Sequence, residues 1–180
     1  MSDNTLSVWV GENIVCIRIT GRANFTSSVD FKTLVNSIWD QGRRHLVLDL
    51  TGCTLMDSTF LGILASFGLK FSEAANGDGP ATIELINTCP RVADLLDSLG
   101  IAPLFKFSQG APLSTDCLTR LDLNLKSADK KEIALTCLEA HRFLMEVNPA
   151  NVPKFQDVTR FLEEDVKRLE GGAQTGTRES

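Results

Sequence analysis

The run His45 to Leu50, HLVLDL, has almost no polar alternation, and this constrains the fold more than any other feature of the chain. A strand with one wet face alternates apolar and polar residues, whereas a near-continuous apolar run marks a strand covered on both faces. Helical stripes flank it on both sides. Before it, Phe31, Leu34, Val35, Ile38 and Trp39 follow the i, i+3, i+4, i+7, i+8 pattern, with Ser27 or Ser28 as N-cap and Gly42 at the C-terminus. After it, Phe60, Leu64, Phe67 and Phe71 make one stripe, with Leu61, Ala65 and Gly68 beside it. An apolar arc that wide belongs to a mostly buried helix. A doubly buried strand between two helices predicts an α/β fold with a largely parallel sheet.

The rest of the first 110 residues extends that pattern. Leu6 to Val10 and Ile14 to Thr20, separated by Gly11-Glu12-Asn13, read as a hairpin. Thr51 to Asp57 reads as a polar bend. Thr82 to Asn87 reads as a strand, Pro90 to Leu99 as a helix ended by Gly100, and Leu104 to Phe107 as a last short strand. The expected order is β-β-α-β-α-β-α-β over residues 1–112. Gln109 to Pro112 reads as a linker, and no strand of usable length is expected beyond Ser108. Two amphipathic helices follow over residues 113–170, broken at Asn148-Pro149-Ala150-Asn151, as a helical hairpin extension. Neither can bury its apolar stripe alone, so the pair must dock on the α/β domain, on a second copy, or on a partner. Residues 171–180 are polar and read as a disordered tail.

Composition narrows the chemistry. A net charge of -5 argues against a nucleic-acid interface, which would show a basic stripe. The start Met-Ser-Asp-Asn lacks a signal pattern, and the apolar run Phe60 to Leu69 is too short for a membrane span. A cytoplasmic location is expected. The 5 cysteines are scattered, with no C-x-x-C pair, and read as buried or half-buried thiols. Neither a metal nor another cofactor is expected. The phosphate-cradling motifs G-x-G-x-x-G and G-x-x-x-x-G-K-[ST] are missing from the sequence, as is the G-x-S-x-G elbow. His45 opens a strand and His141 lies on the extension, so neither is an evident catalytic base. Asp49 sits inside its strand, without the acidic pair that a magnesium-dependent phospho-acceptor domain needs. An enzyme is not expected.

The segment VLDLTGCTLMDSTFLGIL, Val47 to Leu64, carries the functional signal. Asp57, Ser58 and Thr59 stand at the start of a buried helix. Helix capping alone explains one such residue. Three in a row, between Met56 and Phe60, exceed what one cap requires. A phosphoryl group on Ser58 would meet the positive end of the helix dipole, so the fold could carry it. Its charge would be felt by whatever docks there.

That segment resembles the signature of STAS domains, in particular bacterial anti-sigma factor antagonists. Their pattern is a strand ending D-L-S, a short bend, then M-D-S-S-G-L-G-x-L. The resemblance spans residues 5 to 110 and includes VADLLDSLGIAPLFKF. It implies a mixed sheet with helices and a phosphorylation site at Ser58. It also implies a cognate anti-sigma serine kinase as partner and a serine phosphatase that resets the switch. The unphosphorylated form would bind the kinase and free a sigma factor. The family's first interaction loop, G-[DE]-L-D, corresponds to Gly21-Arg22-Ala23-Asn24 here. Asn24, Asp57, Ser58, Thr59 and Phe60 are thereby the expected partner-binding residues. Two of them depart from the pattern: Asn24 replaces an aspartate, and Phe60 replaces a glycine and would set a ring beside the docking surface. The alternative is a non-switching STAS adaptor, held in a transporter or sensory assembly through its C-terminal helices, with Ser58 only a helix cap. Those helices could equally join two copies of the chain as a homodimer.

Overall fold

A computed structural model describes residues 6–77, 79–123 and 125–175. Strand β1 (Leu6–Val10) pairs antiparallel with β2 (Val15–Ile19), the expected hairpin. Helix α1 (Phe25–Asp40) then crosses to β4 (His45–Asp49), which lies parallel to β2. Helix α2 (Ser58–Ala75) leads to β6 (Thr82–Ile86), parallel to β4. Helix α3 (Pro90–Ser98) leads to β7 (Lys106–Ser108), parallel to β6. Leu46, Val47, Leu48, Asp49 and Leu50 are all buried, so β4 is covered on both faces as its unalternating sequence requires. Leu46, Leu48, Ile17 and Ile19 join the core with Phe31, Phe60, Leu64 and Phe71 from α1 and α2. The result is a mixed α/β fold with a C-terminal helical extension.

Five local expectations need correction. The N-cap of α1 is Asn24 rather than Ser27 or Ser28: the Asn24 side chain accepts from Thr26 and Ser27 N–H, and Ser27 Oγ accepts from Asn24 N–H. Asparagine caps as well as serine does, and a short extended piece before it fixes the geometry. That piece is β3 (Gly21–Ala23), which pairs parallel with β5 (Cys53–Met56) in a separate two-stranded sheet. The expected polar bend therefore contains a strand. Strand β8 (Thr119–Leu121) pairs antiparallel with β1 and ends the larger sheet, whose order is β7-β6-β4-β2-β1-β8. Three- and four-residue strands carry too little periodicity to be read from sequence, and their pairing creates them. Ala102–Leu104 is a 3-10 turn, so the last strand of the α/β domain starts at Lys106 instead of Leu104. Finally, the closing helix covers residues 171–175 of the expected tail; residues 176–180 lie outside those described.

The extension consists of α4 (Lys130–Val147) and α5 (Val152–Thr175), joined by a 3-10 turn over Pro149–Asn151. It docks on its own α/β domain, where α4 packs against α2 and α1. A Cβ added to Gly62 of α2 would stand 2.4 Å from the Ala140 carbonyl oxygen of α4, so only glycine lets these two backbones touch. The hairpin turn is tied to the end of α3, where Asn148 and Asn151 side-chain N–H groups donate to Leu99 O and Lys154 Nζ to Ser98 O. These donors satisfy carbonyls that a helix C-terminus leaves open.

Candidate functional site

The strand–bend–helix segment singled out by sequence is held by two carboxylates, one buried and one half-buried. Asp49, at the end of β4, is fully buried. Its Oδ1 accepts from Thr51 N–H and Oγ at 3.1 and 2.6 Å, and its Oδ2 accepts from Arg18 Nε at 3.0 Å. Burial alone would raise its pKa, but the Thr51 hydrogen bonds and the Arg18 guanidinium outweigh that and hold it below the usual carboxylate value. Asp49 thus fixes the turn that leads into β5.

Asp57 fixes the other end of the segment. Its Oδ1 accepts from Phe60 N–H at 2.8 Å, which caps α2, and its Oδ2 accepts from Phe25 N–H at 2.8 Å in the first turn of α1. The Asp57 N–H donates to Ala23 O at 3.0 Å. One carboxylate therefore serves the positive ends of two helices, a placement that both hydrogen bonding and the helix dipoles favour. It also joins the two loops that sequence comparison suggested, since Asn24 caps α1 directly beside it.

Ser58 is the first residue of α2, half-buried, and it faces α4. Its Oγ lies 2.8 Å from Nε2 of His141. The Nδ1 of that ring lies 2.6 Å from the Cys137 carbonyl oxygen, which can only accept. In the neutral ring Nδ1 must therefore carry the proton, leaving Nε2 to accept from the Ser58 hydroxyl. Phe155 of α5 packs edge-on against the imidazole, with centroids 5.2 Å apart. Beside this pair Thr59 Oγ donates to Cys137 Sγ at 3.6 Å. Burial pushes the Cys137 thiol up, as does the Asp57 charge, while the Thr59 contact opposes them.

The expected partner-binding residues separate into two groups. Asn24, Asp57 and Ser58 meet at the adjoining starts of α1 and α2. Thr59 is buried under α4, and Phe60 points away from the surface altogether. The Phe60 ring is 0% exposed and packs on Phe31 with centroids 4.9 Å apart, so its bulk fills the core and not a docking surface. An apolar stripe at helical spacing already contained Phe60, and the core reading of it is the one that holds. His141 and Cys137, on the extension, are the site neighbours that sequence reasoning missed. Their only signal was their i, i+4 spacing on a helix of the extension.

The other cysteines are diverse. Cys16 and Cys53 are buried, with burial pushing each thiol up to about 11, Cys89 and Cys137 are half-buried, and Cys117 is exposed, contrary to expectation. Among the described residues, no group of three or more His, Cys, Asp or Glu side chains is placed to hold a metal ion. Among the same residues, no helix is long and apolar enough to cross a membrane.

Comparison with known proteins agrees with this architecture. The STAS domain model matches residues 6–111, well over half of the chain, and the protein belongs to the STAS domain family. A STAS-domain containing protein of Pseudomonas aeruginosa (strain UCBPP-PA14) is 35% identical over 92 residues, 51% of this chain and 85% of that protein. Among solved structures, an anti-sigma factor antagonist candidate from Thermotoga maritima superposes with a TM-score of 0.51 at 16% identity, over 59% of this chain and 86% of its own. The anti-sigma factor antagonist SpoIIAA in its unphosphorylated form gives 0.48 at 16% identity, over 59% and 89%. The STAS match ends at residue 111, before α4 and α5 begin.

Proposed function

We propose that this protein is an anti-sigma-factor-antagonist-like switching module of the bacterial cytoplasm, with Ser58 as the acceptor of a partner serine kinase. The observation that carries this reading is the position of Ser58. It is the first residue of α2, directly after the Asp57 cap and beside the Asn24-capped start of α1. It thus occupies the motif position at which the family carries its phosphoserine. In the transfer, Ser58 Oγ bonds to the γ-phosphorus of ATP, the bond from that phosphorus to the ADP oxygen breaks, and the hydroxyl proton leaves to a base. The module itself performs no turnover in this reading. A serine phosphatase restores the hydroxyl. The expected boundary at residue 112 shifts, because β8 completes the sheet of the switch domain: the α/β part through β8 is the switch domain, and α4 with α5 is the extension that bears on it.

Recovery of the protein from its host, with mass spectrometry of the peptide containing Ser58, tests the assignment. Phosphate on Ser58, and weakened kinase binding by a natively folded Ser58→Asp variant, are the expected results. Unmodified Ser58 throughout growth, together with normal partner binding by Ser58→Asp, overturns it.

One observation favours a second reading, the adaptor. Ser58 is engaged by His141 and half-covered by α4, as a purely structural serine would be. The adaptor would meet its partner through the exposed side of the hairpin, where Phe161 is 65% exposed. Partner loss in Phe161→Asp, with indifference to Ser58→Ala, supports the adaptor over the switch.

A further inference from the structure

The residue that the family motif marks for phosphate is, in this chain, occupied by the chain's own extension. We propose that a phosphoryl group on Ser58 and the docked position of α4 exclude one another, so that the C-terminal hairpin is the element the switch moves. This deepens the reading of Ser58 as a phosphorylation site and rests on it.

Space decides first. The 2.8 Å between Ser58 Oγ and His141 Nε2 holds one proton and nothing more. A phosphorus bonded to Oγ, with three further oxygens, needs the volume that the imidazole fills. The ring is held in place, because Nδ1 donates to the Cys137 carbonyl on its own helix and Phe155 of α5 packs against it. At Gly62 and Ala140 the two helix backbones are already in contact, so α4 cannot tilt closer to α2 there to make room at Ser58 and has to lift away. Close-packed interiors respond to added volume by switching between arrangements more readily than by stretching.

Charge points the same way. The carboxylate of Asp57 adjoins Ser58 and repels a dianion. Two cations borne by α1 and α4 are already paired, Lys32 with Glu139 and Arg142 with Glu163, while Lys130 and Arg168 line a cavity with Phe25 and Cys137. Outward, the α2 dipole still favours the phosphate, so the group is tolerated by the STAS domain but not by α4. Lifting α4 exposes the apolar side chains Ala140 and Leu144, which join the core of the α/β domain in the docked state. By linkage, whatever holds α4 off the domain also favours phosphorylation, and phosphorylation favours whatever binds the freed hairpin.

A full-length chain carrying phosphoserine at position 58, introduced during translation, tests this without any kinase. Hydrogen exchange is compared with the unmodified chain for amides of β4 and of α4. The expected result is protected β4 amides with exchange over α4 faster by about tenfold or more. Alkylation of Cys137 by iodoacetamide should rise in parallel, with exposed Cys117 as the internal reference. Ser58→Glu should give the same pattern more weakly. Unchanged or slower α4 exchange, as when His141 clamps the phosphate, overturns the proposal. Loss of β4 protection also overturns it, because the phosphate would then be incompatible with the domain itself. The two readings fail separately: an unphosphorylated Ser58 in the host leaves the exchange result intact, while a phosphorylated chain with a protected α4 removes only the hairpin switch.

Discussion

Helix α2 has two sides built on opposite principles. Toward α1 it presents large rings: Phe60 and Phe67 meet Phe31, and Phe71 meets Trp39, with centroids between 4.9 and 6.1 Å. Toward α4 it presents Ser58, Thr59 and Gly62, small residues that gain contact by closeness and by polar pairing. The ring side buries large apolar area and is non-directional, so its strength survives small shifts. The small side loses its hydrogen bonds and its van der Waals contact together when the helices separate slightly. The same helix can therefore hold α1 permanently and α4 conditionally.

The sharpest break of this contrast is Phe60→Ala. A fully buried ring removed from the α1 side should cost about 3–5 kcal/mol, read as a lower urea midpoint of the whole domain. If Phe60→Ala instead loosened only α4, the two sides would be one cooperative surface and the contrast would fail.

Asp57→Ala comes next. It uncaps α2 and takes the acceptor from the Phe25 N–H of α1, whose own Asn24 cap remains, and with about 1 kcal/mol for each lost bond the domain should lose about 2 kcal/mol in the same titration. Asp57→Asn should return part of it, because an amide oxygen still accepts one N–H. A loss no larger than a single cap would show that the bond to Phe25 N–H contributes nothing to α1.

Gly62→Ala acts on the small side alone. The new methyl meets backbone at Ala140, which cannot swing away as a side chain can, and such overpacking costs about 1–3 kcal/mol. Hydrogen exchange should place this loss in α4 and α5, with β4 amides still protected. Equal loosening of β4 would show that the hairpin is welded to the core.

How much of this was legible in the chain divides along the same line. The ring side was readable: Phe60, Phe67 and Phe71 recur at helical spacing, and burial of a stripe follows from its period. The unalternating HLVLDL run likewise gave the doubly covered strand. The Asp57–Ser58 start of α2 was visible because cap residues and an apolar run abut there. What lay beyond reading was every feature made by long-range pairing. The strands β3, β5 and β8 exist only because a partner strand lies beside them. The Ser58–His141 pair joins residues 83 apart in sequence, and neither signals the other. Phe60 misled for a related reason: a family position names a place in the chain, while the face of the helix decides whether the ring meets solvent.

The smallest effect is the most discriminating. Ser58→Ala removes one neutral hydrogen bond, for which about 0.5–1.5 kcal/mol is usual. His141→Ala removes the same bond together with the ring that Phe155 packs against, and should cost more. The double variant separates these contributions, since its departure from additivity isolates the serine–imidazole pair. A coupling near 1 kcal/mol, read from the unfolding free energies, would make that pair a main latch of α4 and Ser58 the point at which modification opens it. A coupling near zero would shift the hold on α4 to the Gly62–Ala140 contact and to the Asn148 and Asn151 anchor at the end of α3. Modification would then have to work through its volume alone, because there would be no latch to undo.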